Sequence, residues 1–485
     1  MNILTEFRIN KNDDIYTQTA NIRKNFDKVV EEEAIINIVK CVSEKLDIPS
    51  SVISFEIKQF LITKFNFSEG YIDQSFHFKN IFKSIAKYIC YFFWILFFSK
   101  KIKKVIKCDL IADDVIGKYQ FNNLKNIIKE FKSYTIITES YFDKKYNQFK
   151  FKSLKGCSKY LVRKNFFFYT FRALLFAIKI SIHKKINLVP IMQHILVRCV
   201  KYESLFDNIK AEYLIQTRQI STSIKNYYFK KSGGKIVASI QKSLHDFGSP
   251  GFYIDCDIFF SHGTKTMQFD DLTGSKIKKI IPVGSLALEQ NWFLKKKIEV
   301  ETNDIVNFAG NFNTRSSINF HANYINDYYD HLKWMIKISN KYPNLKILLK
   351  HHAGNENTDT KEIEILKNSR IKRITVDNSN NENYSYNHAF QANFSCTWNS
   401  IICYEMLGHG KPCFFLDPGG RNESFLQNDD FNTDWRIKSY NEFEEKVEKI
   451  LIKGEKISIK NADYFCINST DVSKKIAKYL LQKSF

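Results

Sequence analysis

Residues 348–357, Leu-Leu-Lys-His-His-Ala-Gly-Asn-Glu-Asn, bring an apolar run to a lysine and two adjacent histidines. Other apolar runs nearby end in the same way. "IVNF" gives way to "AGNFNTRSS", which carries Gly310 and Arg315. "ANF" leads into "SCTWNS", with Ser395, Thr397, Asn399 and Ser400. "PCFFL" leads into "DPGGRN", with Asp417 and Arg421. If these runs are strands of one parallel sheet, their ends share one edge, where ligands of open α/β sheets bind. Lys350, His351, His352, Arg315 and Arg421 would supply cations there. The hydroxyls and Gly-bearing loops would supply hydrogen bonds to oxygens. Carboxylates are scarce, Asp417 being the main one. Such a lining suits a phosphate-bearing ligand.

The stretch "TWNSIICYEMLGHGKP" is the most specific piece. Asn399 or Ser400 is placed to cap a helix whose free N–H groups form an anion site. Glu405, five residues after Ser400, falls in the second turn, where it can accept hydrogen bonds from a ribose or sugar hydroxyl. Gly410-Lys411-Pro412 ends the helix and starts the next strand.

The elements that must position these residues alternate along the chain. Residues 1–100 read as mostly helical. From there, runs such as "VIKCDLIA", "YTIIT", "AEYLIQT", "KIVASIQ" and "KKIIPVGS" alternate with helical spacings, as parallel sheets require. A charged stretch, "LALEQNWFLKKKIEVETND", follows Ser285, and the alternation then resumes. The expected fold is α/β: two Rossmann-like domains with parallel sheets facing a central cleft, and extra N-terminal helices. The expected boundaries are 1–285 for an acceptor-side domain, 286–470 for a nucleotide-sugar-binding domain, and 471–485 for a C-terminal helix packing back on the first.

Length and composition agree with two domains. The 485 residues are 44% hydrophobic and 26% charged, with 7 prolines and 17 glycines, a globular balance. The net charge is +22. Residues 101–200 hold 21 Lys/Arg and 6 Asp/Glu, a field that favours an anionic partner: nucleic acid, an anionic membrane face or an anionic substrate. The ten cysteines form no CxxC pair and fit neither a zinc site nor a disulfide framework. No signal-peptide pattern opens the sequence, so a cytoplasmic location is expected. The run "ICYFFWILFF", Ile89 to Phe98, with lysines after it, is shorter than the roughly 20 apolar residues of a spanning helix. It reads either as a buried helix or as a helix lying on an anionic leaflet.

The pattern strand-KxHx, strand-S-x-T-x-x-S-(x)4-E, then Gly-Lys-Pro and a strand resembles the C-terminal domain of GT-B glycosyltransferases of bacterial surface polysaccharide synthesis. Capsule polymerases, polysialyltransferases and teichoic-acid polymerases share that plan. Aligned on Lys350, His352 takes the place of the histidine in their Lys-Pro-His-Pro motif, with His351 and Ala353 replacing the prolines. Ser400 and Glu405 match their Ser/Thr…Glu pattern. "IKKIIPVGS" resembles the end of their N-terminal domains. The resemblance covers roughly residues 210–430.

It implies a metal-independent, inverting transferase with no cofactor, moving a sugar from a nucleotide donor to a glycan or lipid-linked acceptor. CMP- or CDP-linked donors are favoured. His352 is the expected catalytic phosphate contact. Lys350, His351, Ser395, Thr397, Asn399, Ser400, Glu405, Arg315, Gly310 and Arg421 are the expected donor-binding residues. An inverting enzyme needs a base for the acceptor hydroxyl. Asp246 in "QKSLHDFGSPG" is the candidate, with His245 and Asp114 as rivals. Asp255-Cys256-Asp257 reads as a chance DxD, and His194 as a core or helix histidine. Alternatives are a polyol-phosphate transferase or nucleotide-sugar 2-epimerase on the same fold, and a basic nucleic-acid-binding protein. The expected site of action is the inner face of the plasma membrane.

Overall fold

A computed structural model of the chain describes residues 15–66, 71–72, 76–98, 105–115, 118–138, 151–153, 165–216, 221–242, 253–265, 274–289, 302–308, 324–351, 360–369, 371, 373–377, 384–398, 400–418 and 434–482. Two compact units divide it. The first comprises Met1–Phe260, Met267–Ile281 and Ser473–Phe485; the second comprises Ser261–Thr266 and Pro282–Val472.

The first unit opens with helices α1 (Ile15–Glu31), α2 (Glu33–Leu46), α3 (Ser50–Ile62) and α4 (Ile81–Phe98). Next come strand β1 (Ile106–Val115), helix α5 (Lys118–Lys129) and strands β2 (Tyr134–Thr138) and β3 (Phe151–Ser153). A π-helical turn, Phe168–Arg172, leads into α6 (Ala173–Lys184), and α7 (Val189–Asn208) follows. Pro190 fits the first turn of α7 because no intrahelical acceptor awaits its missing N–H. The unit continues through β4 (Ile209–Gln216), α8 (Ser223–Lys231), β5 (Ile236–Ile240), β6 (Asp255–Ser261) and β7 (Lys276–Pro282). The sheet order is β3-β2-β1-β4-β5-β6-β7, and the pairings from β3 to β6 are parallel.

The extra N-terminal helices are built into this unit through polar groups of α3. Glu56 and Gln59 are buried and accept from the backbone N–H of Ile224 and Ser223, each at 3.0 Å. The free N–H groups opening α8 are thereby satisfied by the protein's own side chains. Gln59 also donates to the carbonyls of Ser221 and Tyr253. The first unit's α8 therefore has no vacant N-terminal anion position at Ser223 and Ile224. His194, on α7, lies 3.0 Å from Glu56 and stacks on Phe60, a packed helix histidine as expected. The Asp-Cys-Asp motif is engaged in the same unit: Asp255 accepts from Ser223, and Asp257 pairs with Lys230 and Lys278.

The second unit contains β8 (Ile305–Phe308), α9 (Tyr324–Lys341), β9 (Ile347–Lys350), α10 (Thr360–Ser369), β10 (Ile374–Asp377) and α11 (Tyr384–Gln391). It continues with β11 (Phe394–Thr397), α12 (Ile401–Gly408), β12 (Cys413–Leu416), β13 (Arg436–Ile437) and α13 (Tyr440–Val447). Its six strands are parallel in the order β10-β9-β8-β11-β12-β13. Every residue of β8, β9, β11 and β12 is buried. Helices covering both faces of a parallel sheet make such strands near-continuous apolar runs. The C-terminal helix α14 (Val472–Gln482) belongs to the first unit from Ser473 onward, where Tyr479 meets Phe260 edge to face at 6.0 Å.

Both sheets thus reverse direction between their first and fourth strands in chain order. This is the doubly wound order of a Rossmann-like domain, and the expectation of two such α/β domains with added N-terminal helices holds.

Candidate functional site

The carboxyl edge of the second sheet is set by register. Asp377, Lys350, Phe308, Thr397 and Phe415 stand side by side across five strands. The order reverses between β8 and β11, so the crevice expected beyond that reversal is flanked by Phe308 and Thr397. The Thr397 hydroxyl donates to the Phe308 carbonyl at 3.3 Å. Trp398, the next residue, donates its indole N–H to Asp327 at 3.0 Å. Asp327 lies in the first turn of α9, so this buried bond joins the end of β11 to the helix that follows β8. Ser400 caps α12, its hydroxyl accepting from the Ile402 N–H at 3.4 Å.

Lys350 is buried with its ammonium 3.5 Å from the Asp377 carboxylate. His388, on α11, approaches the same carboxylate to 3.8 Å. Burial lowers the Lys350 pKa against the pull of Asp377, and lowers that of His388 in the same way. The neighbouring ends of β9 and β10, with α11, therefore bring a cation, an anion and an imidazole together. Asp377 is not among the expected site residues, although it closes the strand Ile374–Asp377.

Other expected residues lie differently. His351 turns inward, its Nε2 3.0 Å from Glu362 on α10, with both side chains buried. Its role there is to brace α10 against the sheet. Asp417, read as the main carboxylate of the edge, is buried and paired with Arg436, whose Nε donates at 2.6 Å. Among the described residues, Asp377 is the carboxylate of the edge that stands beside Lys350. Ser395 is buried, and its hydroxyl has no hydrogen-bond partner among the described residues. Glu405 is also buried. Ser285 donates to one of its oxygens and Tyr386 to the other, the latter at 2.6 Å. Both oxygens are engaged by the protein itself, which differs from the open acceptor expected for a ribose. Burial raises the Glu405 pKa to about 7, against the two hydrogen bonds. Gly310, Arg315, His352, Asn399, Arg421, His245 and Asp246 lie outside the described residues, as does the side chain of Asp114.

No family model matches the chain, and no curated protein matches it. Among solved structures it is similar to UDP-GlcNAc 2-epimerase from Neisseria meningitidis bound to UDP-GlcNAc, at 11% identity over 78% of this chain and 100% of that one, with a TM-score of 0.46. It is also similar to UDP-N-acetylglucosamine 2-epimerase from Rickettsia bellii, at 12% identity over 78% and 97% of the two chains, with a TM-score of 0.47. A third is the pneumococcal O-GlcNAc transferase GtfA in complex with UDP and GlcNAc, at 13% identity over 59% and 58%, with a TM-score of 0.33.

Proposed function

We propose that the protein is a nucleotide-sugar-dependent glycosyltransferase of cell-surface polysaccharide assembly, with the donor nucleotide bound by the second unit. One observation carries this reading: Lys350 at the end of β9 and the cap residue Ser400 just past β11 lie at the carboxyl edge of a doubly wound sheet, on either side of its point of reversal. A cation, a hydroxyl and a helix start there suit a phosphate group. In the transfer, the acceptor oxygen forms a bond to the anomeric carbon as the bond from that carbon to the leaving phosphate breaks. The acceptor proton passes to a base, for which Asp246 is the candidate. Charge gathering on the leaving phosphate is met by Lys350 and His352. Donor nucleotides are made in the cytoplasm, so the reaction is proposed for that side of the membrane.

A second reading, nucleotide-sugar epimerisation, draws on a different observation. Asp377 stands on the edge as a partly exposed carboxylate beside Lys350 and His388. Epimerisation moves protons to and from carbon and needs such groups.

The test begins with thermal shifts against CMP, CDP, UDP, GDP and their sugars. The sugars that stabilise the protein are then incubated with and without a glycan acceptor. A transferase releases nucleotide in step with acceptor extension. An epimerase converts the donor into an isomer with no acceptor present. Absence of stabilisation by every nucleotide in the panel, together with salt-sensitive retention of bulk RNA, overturns both.

A further inference from the structure

We propose that α4 and the helical stretch Phe168–Lys184 form a docking surface that lies in the plane of an anionic lipid bilayer. The proposal does not rest on the catalytic reading. Helix α4 buries Ile81, Ser84, Tyr88, Phe92 and Ile95, a stripe at three-four spacing, and packs on α7. Its other side exposes Phe82 at 81% and Phe97 at 74%, with Phe93, Trp94 and Leu96. The Phe168–Lys184 stretch also packs on α7 and is tied to α4 by the Tyr88 hydroxyl, which donates to the Tyr169 carbonyl. It too leaves an apolar line outside: Phe167 at 59%, Phe171, Leu175 at 66% and Ile182 at 59%.

Two adjacent helices thus expose large aromatic and aliphatic side chains, which a soluble surface rarely does. The charge around them selects the occupant. Residues 78–98 and 165–185 contain no Asp or Glu. Lys79, Lys83, Lys87, Arg172, Lys179 and Lys185 are exposed among the apolar groups. Phenylalanine, leucine and tryptophan interleaved with cations match the boundary between acyl chains and anionic headgroups.

The geometry also distinguishes lying on the membrane from crossing it. Among the described residues, Phe78–Phe97 is long and apolar enough to cross by length and composition, and most of it is not buried. Crossing would strip the Tyr88 stripe from α7 and carry the charges of Lys83 and Lys87 into hydrocarbon, which is costly. An in-plane helix keeps the stripe packed and leaves the lysines at headgroup level.

The test is co-sedimentation of the full chain with vesicles of phosphatidylcholine alone and of phosphatidylcholine mixed with phosphatidylglycerol, at low and high salt. The expected result is binding to the mixed vesicles, weakened by salt, with little binding to the neutral ones. The double variant Phe97→Asp/Leu175→Asp should reduce binding by at least about tenfold at an unchanged melting temperature. Lys83→Gln and Lys87→Gln, which leave the apolar face intact, should each weaken binding roughly fivefold and reduce the salt dependence. Equal binding to both vesicles, no binding, or undiminished binding by the double variant overturns the proposal. So does a wild-type dimer in solution that the double variant converts to monomer, because the face would then be a protein interface.

Discussion

The Trp398 indole donates to the Asp327 carboxylate at 3.0 Å, joining the end of β11 to the first turn of α9. Those elements belong to the two strands between which the sheet order reverses, so the bond fixes the spacing of the crevice walls. Trp398→Phe keeps most of the apolar volume and removes the donor from a buried carboxylate. The expected cost is about 1–3 kcal/mol, read by urea unfolding. The proposed nucleotide site should lose affinity in the same variant. An unchanged unfolding midpoint would show that the bond contributes nothing to the unit.

Glu405 gives the second unit a pH dependence with a definite sign. Its folded pKa is about 7, raised by burial above the ordinary 4.5. The folded state therefore binds a proton more tightly than the unfolded state. Stability falls as pH rises from about 4.5 to about 7 and is level above that, with a full effect on the order of 3 kcal/mol. Glu405→Gln cannot ionise. The difference in unfolding free energy between wild type and Glu405→Gln should change across that window and stay constant above it.

Glu56 behaves in the opposite sense. Burial pushes its carboxyl up, but the His194 hydrogen bond, the Arg198 charge and the Ile224 N–H outweigh burial and hold it below the usual range. Its contribution is present above the ordinary carboxylate pKa and disappears as the pH falls through the folded value. Glu56→Ala removes the acceptor of the Ile224 N–H and the partner of His194 and Arg198, at a cost of about 1–3 kcal/mol at neutral pH. Denaturant titrations at neutral and acid pH should show the wild-type advantage shrinking with acid. A gap that does not change with pH would mean that ionisation of Glu56 is not what holds α3 to α8.

The sequence shows the strands of the second unit clearly because helices cover both faces of its sheet. "IVNF", "LKILL" and "PCFFL" are apolar apart from Asn307 and Lys346, and their ends can be located. Asp377 is hard to read from the sequence because its strand includes Thr375 and Val376, both exposed, which blur the run. The position of Glu405 on its helix was legible, but its partners were not. Ser285 is 120 residues away and Tyr386 is 19 away, and no local spacing announces either. The chain neighbours of His351 bring it to the edge but leave two faces open to it. An extended segment turns adjacent side chains to opposite faces, and the choice between the faces was made by Glu362, on a helix not yet formed when the sequence is read.

Lys350 tests whether the edge binds anions at all. Its ammonium is buried beside Asp377 at 3.5 Å, so a phosphate must compete with that carboxylate. Lys350→Met retains the apolar stem. It should weaken nucleotide diphosphate binding by about 10- to 100-fold, as loss of a charge-assisted hydrogen bond implies, while Asp377→Asn should strengthen binding by freeing the cation. Calorimetric titration of both variants decides the matter. Equal affinities for wild type and Lys350→Met would remove the lysine from the proposed site.

The last prediction joins two ends of the sheet. Ser400 opens α12 just past β11, and His352 lies two residues beyond Lys350 in the chain, after β9. We hypothesise that both meet one donor phosphate, since a hydroxyl at a helix start and an imidazole at a strand end are both donors to an oxyanion. A hydrogen bond that strengthens as the leaving group gains charge acts on turnover more than on binding. His352→Ala should therefore lower kcat by about 10- to 100-fold with a smaller change in nucleotide affinity, on a charge-assisted bond of about 1.5–3 kcal/mol. Ser400→Ala should weaken nucleotide binding by a few fold and cost about 1 kcal/mol of stability through the lost cap. If the two share one phosphate, the double variant should lose less than the sum of the singles. Turnover, nucleotide affinity and melting temperature are measured for all three. A folded His352→Ala protein with normal turnover would leave the histidine as a surface feature of its strand end, and strict additivity would separate it from Ser400.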